Sequence, residues 1–491
     1  MPERATVLSR SEKSAEAVVA AGVGRRAERV GEPKAVSLGR AVHQKPVELG
    51  RNAGGRGEAE PEAVRDEART ARHETGSPGR DDLLAQVLAK ANMEAAWKRV
   101  KSNRGSAGVD GLSIRDTAEH LKTHWPRIRA SLLDGSYRPL PVRRVQIRKP
   151  DGGMRELGIP TVTDRLIQQA LLQVLQPRID PTFSEHSHGF RPGRRAHDAV
   201  LEAQCHVQNG YRVVVDVDLE KFFDRVNHDI LMARLARRID DKAVLRLIRR
   251  YLVAGIMEGG VVMVRYEGTP QGGPLSPLLA NVLLDEVDQE LERRGHRFVR
   301  YADDCNVYVR SRRAGERVLA GLRRLYERLH LKVNEAKTAV APSSRRKLLG
   351  YAFWYGPGGQ ARCRVADKAK ETFKQRIREM TRRSGGRSLA EIVERLQTYL
   401  PGWTAYFQLA QTPKVFRELD EWIRHRLRAV QLKHWRRGTT MYRELKAMGA
   451  SETDARQVAA NSRRWWRNSR FLLNRAMPVA YFDRIGVPRL S

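Results

Sequence analysis

The chain has 491 residues, room for two or three domains, and its 91 Lys and Arg against 57 Asp and Glu give a formal net charge of +34. So large a basic excess is typical of a protein that binds a polyanion, most often nucleic acid, and no apolar run approaches the roughly 20 residues of a membrane-spanning helix. The three cysteines form no CxxC pair and the N-terminus has no apolar signal segment, which argues against a disulfide framework and favours a reducing, cytoplasmic location.

The first 80 residues predict a disordered extension. They are rich in Arg, Glu, Ala and Gly and nearly lack aromatic side chains, so they cannot bury enough apolar surface to offset the entropy of ordering. This segment has 15 basic and 12 acidic residues, a net charge of only +3. The remaining +31 therefore lies on the rest of the chain, where we expect the folded body.

From residue 81 onward the hydrophobic pattern predicts helices and strands. DDLLAQVLAKANMEAAWKRV and TDRLIQQALLQVLQPRI have helical spacing, and between them lie a glycine-punctuated loop, NRGSAGVDGLSI, and a predicted hairpin, PLPVRRVQIRKPDGGMRELGIP. YRVVVDVDLEKFFDRV then predicts a strand that runs into a helix, FVRYADDCNVYVRS a second hairpin, and LLGYAFWYG a further strand. After about residue 365 the pattern changes to long helices, and residues 361–491 contain 29 basic against 12 acidic side chains with five of the eight tryptophans.

Three aspartates are the strongest candidates for catalytic chemistry. Asp303 and Asp304 lie side by side at the tip of the second predicted hairpin, and Asp218 ends a strand 85 residues earlier. Asp216 points to the same face of that strand by the two-residue period, and Asp224 follows about one helical turn later. A pair of Mg²⁺ ions would relieve the repulsion between the carboxylates and catalyse an in-line phosphoryl displacement. An isolated Asp-Asp pair in a turn is more often a solvated surface turn than a catalytic site. The apolar strands on both sides of the pair and the other motifs favour the catalytic interpretation here.

Several segments together resemble the bacterial group II intron reverse transcriptase/maturases: YADD with DVDLEKFFD, GTPQGGPLSPLLANVLLDEVD, HGFRPGRRAHDAV and LKVNEAKT. The resemblance runs from about residue 85 to the C-terminus. It is to the type that lacks the C-terminal endonuclease domain, because Cys363 is the last cysteine and His425 and His434 have no partners at metal-ligand spacing.

The resemblance implies an α/β (α+β) fold of the right-hand polymerase type. The implied domains are the disordered extension (1–80), fingers and palm (81–365), an all-α thumb or maturase X domain (366–440) and a basic helical segment that binds DNA or RNA (441–491).

It also implies the composition of the active site. Asp218, Asp303 and Asp304 would be the catalytic carboxylates, and together with the backbone carbonyl of Leu219 they would bind two Mg²⁺ ions. The residues implied to bind the incoming nucleotide are Lys149, Arg155, Phe223, Gln271, Gly272 and Lys337. The Phe223 ring would clash with a 2′-OH and so favour dNTPs, although a plain core role for this side chain stays open.

Nucleic-acid contacts are implied for the N-terminal glycine loop, the HGFRPGRRAHDAV segment and the helical region. The candidates are Arg104, Arg191, Arg194, Trp403, Tyr406, Arg463 and Arg464. YLPGWTAYFQLA and RRWWRNSR combine aromatic and basic side chains, as stacking on bases and pairing with phosphates require. Helix-spaced aromatics are more often core residues than platforms for bases, so the region is a better candidate than any one residue in it.

The implied function is that of an RNA-directed DNA polymerase that binds group II intron RNA, assists its splicing and copies it during retrohoming. The implied partners are the intron RNA, a primer-template duplex, a DNA target and dNTPs, and the implied location is the cytoplasm, in association with the nucleoid or a ribonucleoprotein. One alternative is an RNA-binding maturase without polymerase activity, which we would expect to have lost its acidic positions. The other is a reverse transcriptase domesticated for host defence.

Overall fold

In the described residues, small sheets alternate with helices as far as Val365, and helices alone follow. The computed structural model describes residues 82–148, 154–258, 261–263, 267–269, 272–470 and 473–491. The predicted extension at residues 1–80 lies outside these ranges, as do the predicted nucleotide contacts Lys149 and Gln271. For Arg155 only the backbone is described.

The described elements fall into a mixed segment and a helical segment. The mixed segment contains α1 (Leu83–Val87), α2 (Lys90–Ser102), α3 (Ile114–Leu133), β1 (Val142–Arg148), β2 (Met154–Ile159), α4 (Val162–Ile179), α5 (Ala196–Gln208), β3 (Val213–Val217), α6 (His228–Ala236), α7 (Lys242–Val253), β4 (Ile256–Glu258), β5 (Val261–Met263), α8 (Ser276–Arg293), β6 (Arg297–Tyr301), β7 (Asp304–Val309), α9 (Arg312–Arg328), β8 (Ala339–Pro342), β9 (Lys347–Leu348), β10 (Tyr351–Tyr355) and β11 (Ala361–Val365). The helical segment contains α10 (Asp367–Met380), α11 (Leu389–Tyr406), α12 (Pro413–Trp435), α13 (Gly438–Ala447), α14 (Glu452–Ala460), α15 (Trp465–Asn468), α16 (Leu473–Ala476) and α17 (Val479–Arg484).

The first sheet, which we call the fingers sheet, has the strand order β2-β1-β4-β5. β1 and β2 pair antiparallel, with Arg143 opposite Ile159 and Arg148 opposite Met154, so the first predicted hairpin is confirmed. Its predicted Asp-Gly-Gly turn lies outside the described residues. β4 runs parallel to β1 and thereby attaches a later part of the chain to the hairpin.

The second sheet, which we call the palm sheet, is antiparallel throughout and has the strand order β6-β7-β3-β8. The predicted strand at β3 and the predicted hairpin β6–β7 are both confirmed. The helix predicted directly after β3 is instead a short 3-10 turn, Phe222–Arg225. It follows Lys221, whose φ of +48° is left-handed, and α6 begins only after Asn227, whose side chain caps the helix N-terminus.

β3 lies between two hydrophobic cores. Val215 and Val217 face a core shared with α4, α8 and α9, whereas Val214 faces a second core shared with β10, α10, α11 and α12. Both faces of the strand are buried, which explains why its sequence is a nearly continuous β-branched run. The palm sheet therefore joins the fingers side of the protein to the helical segment.

A third, three-stranded sheet of order β11-β10-β9 leads into the helical segment. The last strand ends at Val365 and α10 begins at Asp367, close to the change in pattern that the sequence indicates. The domain boundaries themselves stay predictions. Of the helices that the structure describes, none is both long and apolar enough to cross a membrane.

Candidate active site

The two predicted carboxylate segments meet at one end of the palm sheet. β3 and β7 pair antiparallel with Val217 opposite Cys305, so continuing the register by one residue sets Asp218 beside Asp304. β6 and β7 are joined by a turn of two residues, the second of which is Asp303. The fold thus brings the three predicted carboxylates together from two distant parts of the chain.

The turn that carries Asp303, which we call the carboxylate turn (Ala302-Asp303), has a strained backbone. Ala302 has a φ of +58°, in the left-handed region that favours glycine. Such a residue costs on the order of 1 kcal/mol or more and persists only where its surroundings hold it. Asp303 itself is buried, with 4% of its surface exposed. The carboxylate is therefore held in one position by the protein around it.

A buried arginine binds the carboxylate turn. Nη1 of Arg300 donates hydrogen bonds to the carbonyl oxygen of Ala302 at 2.8 Å and to Oδ1 of Asn281 at 2.9 Å. Its Nε lies 2.8 and 2.9 Å from the two carboxylate oxygens of Asp288, and both charged residues are fully buried. Burial lowers the pKa of the Arg300 guanidinium, but the charge of Asp288 outweighs this and raises the pKa overall, so Arg300 stays protonated. Removal of either partner would leave an uncompensated buried charge.

A glycine allows a neighbouring loop to approach the same turn. A Cβ atom on Gly189 would lie 2.1 Å from the backbone nitrogen of Ala302, where no side chain fits. The carbonyl oxygen of Gly189 accepts a hydrogen bond from Nδ2 of Asn281 at 2.9 Å, so Asn281 connects this loop to Arg300. The HGFRPGRRAHDAV segment thus supports the carboxylate turn through its backbone.

Asp218 lies next to the lysine that the sequence singles out. Nζ of Lys337 is 3.9 Å from an oxygen of the Asp218 carboxylate, and both side chains are partly exposed. The carbonyl oxygen of Asp218 accepts a hydrogen bond from the backbone nitrogen of Asn334 at 2.8 Å. Nε of Arg346 donates to Asp216 at 2.8 Å and its Nη2 donates to the carbonyl oxygen of Lys337 at 2.7 Å. These contacts fix the LKVNEAKT segment against the end of β3.

Asp216 is a structural partner of Arg346 in this arrangement. Burial raises the pKa of the Asp216 carboxyl, and the charge of Arg346 opposes that rise. The Asp216 side chain therefore forms a partly buried ion pair with Arg346, two residues before Asp218.

Two segments hold the other described contacts predicted near Asp218: Leu219 and Phe223 follow β3, and Gly272 lies against β2 of the fingers sheet. Leu219 and Phe223 are both buried, and the carbonyl oxygen of Phe223 accepts a hydrogen bond from the backbone nitrogen of Thr269 at 2.8 Å. Gly272 has a φ of +137°, and a Cβ there would lie 2.5 Å from the carbonyl oxygen of Gly158 in β2. Only glycine fits at this position, where Gly272 lies directly against the fingers hairpin.

Three of the predicted nucleic-acid contacts lie in the interior, which corrects the expectation that they face a ligand. Arg191 is buried, and its Nε donates to Asp180 at 3.1 Å while its other nitrogens donate to backbone carbonyl oxygens. Trp403 is 2% exposed and its ring centroid is 4.3 Å from that of Phe373, and Tyr406 is also buried. The helical spacing that made these aromatics noticeable is the spacing of a helix core.

The remaining four predicted contacts lie at least partly at the surface. Arg104, Arg463 and Arg464 are exposed. Arg194 is partly exposed and pairs with the carboxylate of Glu185. The exposure of these four side chains is compatible with contacts to a phosphate backbone.

Sequence reasoning missed a surface of the helical segment on which cations and tryptophans face each other. Trp422 is approached by Lys374, Arg378 and Arg426, whose charged groups lie 5.9, 5.7 and 5.3 Å from the centre of its ring. Trp466 is 43% exposed, one of the most exposed large apolar side chains among those described. The tryptophans were visible in the sequence, but nothing there separated exposed ones from buried ones.

The same surface continues around Trp465, whose ring has Arg383 at 5.8 Å and Lys433 at 5.4 Å. Burial, and then the charges of Arg378 and Arg383, lower the pKa of Arg426 to about 10. None of these cations forms an ion pair with a carboxylate in the part of the chain that the structure describes. We call this the helical-segment surface, and its residues are Lys374, Arg378, Arg383, Trp422, Arg426, Lys433, Trp465 and Trp466.

Two protein families match this chain, one in the mixed segment and one in the helical segment. The reverse transcriptase (RNA-dependent DNA polymerase) family matches residues 147–353, a range that includes Asp218, Asp303 and Asp304. The maturase-specific domain of group II introns matches residues 370–449, which lie in the helical segment. The chain therefore combines a match to the reverse transcriptase family with a match to the maturase-specific domain of group II introns.

Individual proteins are similar to this chain through part of their own length. The group II intron-encoded protein LtrA of Lactococcus lactis subsp. cremoris is 41% identical over 196 residues, which are 40% of this chain and 32% of LtrA. Protein YkfC of Escherichia coli is 40% identical over 219 residues, 43% of this chain and 57% of YkfC. The putative COX1/OXI3 intron 1 protein of Saccharomyces cerevisiae is 33% identical over 213 residues, 43% of this chain and 25% of that protein. The match therefore spans between a quarter and somewhat over half of these relatives.

The site fits the divalent metal ions that reverse transcriptases use. Asp218, Asp303 and Asp304 lie at the same end of the palm sheet, and carboxylate oxygens are the ligands that Mg²⁺ prefers. One of them, Asp303, is buried, and a bound cation offsets the cost of a buried negative charge. The donor set is therefore suited to a hard divalent cation.

Proposed function

We propose that this protein is an RNA-directed DNA polymerase that copies the group II intron RNA to which it binds, and that it also assists the splicing of that RNA. The observation that carries the proposal is the convergence of Asp218, Asp303 and Asp304 at one end of the palm sheet, with Lys337 beside Asp218. Phosphoryl transfer depends on positioning and on charge stabilisation, and this arrangement provides both. The presence of both family domains in one chain supports the combination of copying and splicing.

Two Mg²⁺ ions are the proposed cofactors, with the carboxylates of Asp218, Asp303 and Asp304 and the carbonyl of Leu219 as protein ligands. Bound ions of this kind stabilise the charge on the attacking and leaving oxygens at the α-phosphate of a dNTP. The task of the chain is to hold its oxygen ligands still. Arg300 does so for the carboxylate turn, through its hydrogen bond to the turn and its buried ion pair.

The incoming dNTP is proposed to lie between the fingers and palm sheets. Lys337 would pair with its phosphates next to Asp218, and Lys149 and Arg155 of the fingers hairpin would bind the triphosphate from the other side. Phe223 would exclude a 2′-OH, and Gln271 and Gly272 would approach the nucleotide and the template pair. The close contact of Gly272 with Gly158 in β2 supports this arrangement, because it places Gly272 beside the fingers hairpin.

The proposed nucleic-acid partners are the intron RNA, the primer-template duplex and a DNA target. The helical-segment surface suits a phosphate backbone with accessible bases, because its cations have no carboxylate partners among the described residues and its tryptophans can stack on bases. Arg104, Arg194, Arg463 and Arg464 would extend these contacts. The protein would work in the cytoplasm as part of a ribonucleoprotein.

Primer extension on an RNA template with Mg²⁺ and dNTPs tests the proposal. We expect the wild type to extend the primer and the double variant Asp303→Ala with Asp304→Ala to be inactive, while both bind the RNA with the same affinity. Asp240→Asn is the matched control, since Asp240 is an exposed aspartate in the loop before α7, and we expect this variant to extend like the wild type.

The outcome separates the two functions that the alternatives assign to the chain. A wild type that binds RNA tightly but never extends a primer would contradict the polymerase and leave a maturase that acts only by binding. Extension without any preference for its own intron RNA would contradict the splicing role.

A further inference from the structure

Three histidines and a glutamate form a cluster that the proposed polymerase reaction does not use. Glu202 and His206 are one turn apart on α5, so their side chains share one face of the helix. His186 and His188 come from the loop beside β6, where the backbone nitrogen of Arg300 donates to the carbonyl oxygen of His186 and the backbone nitrogen of His188 donates to Arg300, both at 2.9 Å. The cluster therefore joins this loop to α5.

One carboxylate oxygen faces two of the imidazole rings. Oε1 of Glu202 is in close contact with Nδ1 of His186 and lies 3.5 Å from Nε2 of His206. These three atoms all lie within 4.8 Å of one another, and no other set of three His, Cys, Asp or Glu residues in the described part of the chain meets that distance. Donor atoms on a tetrahedral zinc ion, with bonds of about 2.1 Å, are separated by roughly 3.4 Å. All three atoms are thus near enough to reach one ion, once the direct contact between His186 and the carboxylate opens to admit it.

His206 provides the second observation. The residue is 8% exposed, and its Nε2 is buried and has no hydrogen-bond partner among the described residues. A buried polar atom without a partner costs free energy. Nε2 of His206 faces the Glu202 carboxylate at 3.5 Å, but this contact does not have the geometry of a hydrogen bond. The side chain of His186 is 28% exposed, which leaves the cluster open to an ion and to a water molecule as a fourth ligand.

We propose that His186, Glu202 and His206 bind one divalent transition-metal ion of the zinc class. Two imidazole nitrogens with one carboxylate oxygen suit Zn²⁺, whereas Mg²⁺ and Ca²⁺ take oxygen ligands. His188 orients the carboxylate, because its Nε2 lies 2.6 Å from the other oxygen, Oε2, of Glu202. The ligand set is distinct from the carboxylates proposed to bind Mg²⁺.

The ion would act as a clamp behind the carboxylate turn. It would tie His186 in the loop to α5, and three residues later the same loop places Gly189 against Ala302. A metal that holds the loop would thereby stabilise the support of the carboxylate turn without touching the reacting atoms.

Zinc titration of the chelator-treated, full-length protein tests the site. Competition with a chromophoric chelator is expected to give one Zn²⁺ per chain, with a dissociation constant that rises at least about 100-fold in His206→Gln and about 10-fold or more in Glu202→Gln. Zinc is also expected to raise the melting temperature of the wild type by about 3 °C or more, and to slow hydrogen exchange of the backbone amides in residues 185–190, whereas Mg²⁺ does neither. The last two measurements need no variant, so they remain decisive if a substitution prevents folding.

Two control variants separate this site from other places where zinc can bind. His120 and His124 stack on the exposed face of α3, one turn apart, and are a potential adventitious site. The double variant His120→Ala with His124→Ala, and the double variant Asp303→Ala with Asp304→Ala, should both keep the tight zinc site. The proposal is overturned if wild-type protein gains neither a stoichiometric ion nor thermal stability from zinc. It is equally overturned if the tight site survives in Glu202→Gln and His206→Gln but disappears in either control.

Discussion

The palm sheet and the helical segment both bury charged side chains, but the palm does so beneath the candidate active site. Beneath the carboxylate turn the palm buries charge, the Arg300–Asp288 ion pair, and uses it to fix the position of Asp303. The helical segment buries aromatic rings such as Trp403 and Phe373, and the charge that it buries serves packing: the Arg424–Asp420 ion pair holds the backbone of the C-terminal residues Leu490 and Ser491. A change inside the palm should therefore alter chemistry, whereas a change inside the helical segment should alter stability, and only its surface should alter binding.

The largest effect is expected at the carboxylates themselves. Asp303→Asn should lower the rate of primer extension by at least about 10³-fold, because several kcal/mol of charge stabilisation in the transition state depend on this ligand. The free energy of unfolding should change little or rise, since a buried negative charge is removed. Single-turnover extension and urea denaturation measure the two quantities. If Asp303→Asn extends the primer at a rate within tenfold of the wild-type rate, the palm is not the region in which the chemistry takes place.

The next effect is expected at the buried ion pair. Arg300→Met should lower the free energy of unfolding by about 3–5 kcal/mol, because Asp288 is left buried and uncompensated. The double variant Arg300→Met with Asp288→Leu should regain most of that stability. Primer extension should stay low in the double variant, because the carbonyl oxygen of Ala302 and the side chain of Asn281 have lost their donor.

This double variant sharpens the comparison between the two regions. If stability and extension return together, the ion pair serves only to stabilise the palm, and the interior of the palm does not differ in kind from that of the helical segment. Urea denaturation and single-turnover extension on the same preparations decide between the two outcomes.

The sequence predicted the strands that carry the three aspartates because their pattern is local. The β-branched run at Val213–Val217 and the apolar strands on both sides of the Asp-Asp pair predict strands that end in carboxylates, and the structure has both. The network beneath them leaves no such local pattern. Arg300 stands in the same hairpin, but its partner Asp288 lies on α8 and nothing local indicates that an arginine is fully buried.

In the helical segment the sequence could not separate core from surface. Trp403 and Trp466 both occur in helices among other aromatics, yet the first is 2% and the second 43% exposed. Helical spacing gives the same signal for both, and the difference arises from which helix face packs against the rest of the protein. The same holds for Arg191, whose buried hydrogen bonds depend on loop geometry that no spacing reveals.

A smaller effect is expected where the loop touches the carboxylate turn. Gly189→Ala should lower the rate of primer extension about 10- to 100-fold, because a Cβ 2.1 Å from the backbone nitrogen of Ala302 must displace the turn, and sub-ångström to ångström displacements of catalytic groups cost this much. Single-turnover extension at saturating dNTP measures the rate.

The matched control for this change lies on the same loop. Gly193 has a φ of +73°, and no atom lies within 4 Å of the position that a Cβ would take there, so Gly193→Ala should cost only backbone strain of about 1–2 kcal/mol in stability. Its extension rate should match that of the wild type. Equal losses of rate in both variants would mean that the loop acts through general stability and not through contact with the turn.

The smallest effect is expected at the helical-segment surface. Trp466→Ala should weaken binding of the intron RNA about tenfold, the loss expected when one base no longer stacks on an aromatic ring, and should change the free energy of unfolding by less than about 0.5 kcal/mol. Trp403→Ala should do the reverse, lowering the free energy of unfolding by about 3–5 kcal/mol while the folded fraction binds RNA as before. Filter binding corrected for the folded fraction measures the affinity. If Trp403→Ala weakens binding by folded protein more than Trp466→Ala does, the division between an aromatic interior for stability and a surface for binding fails.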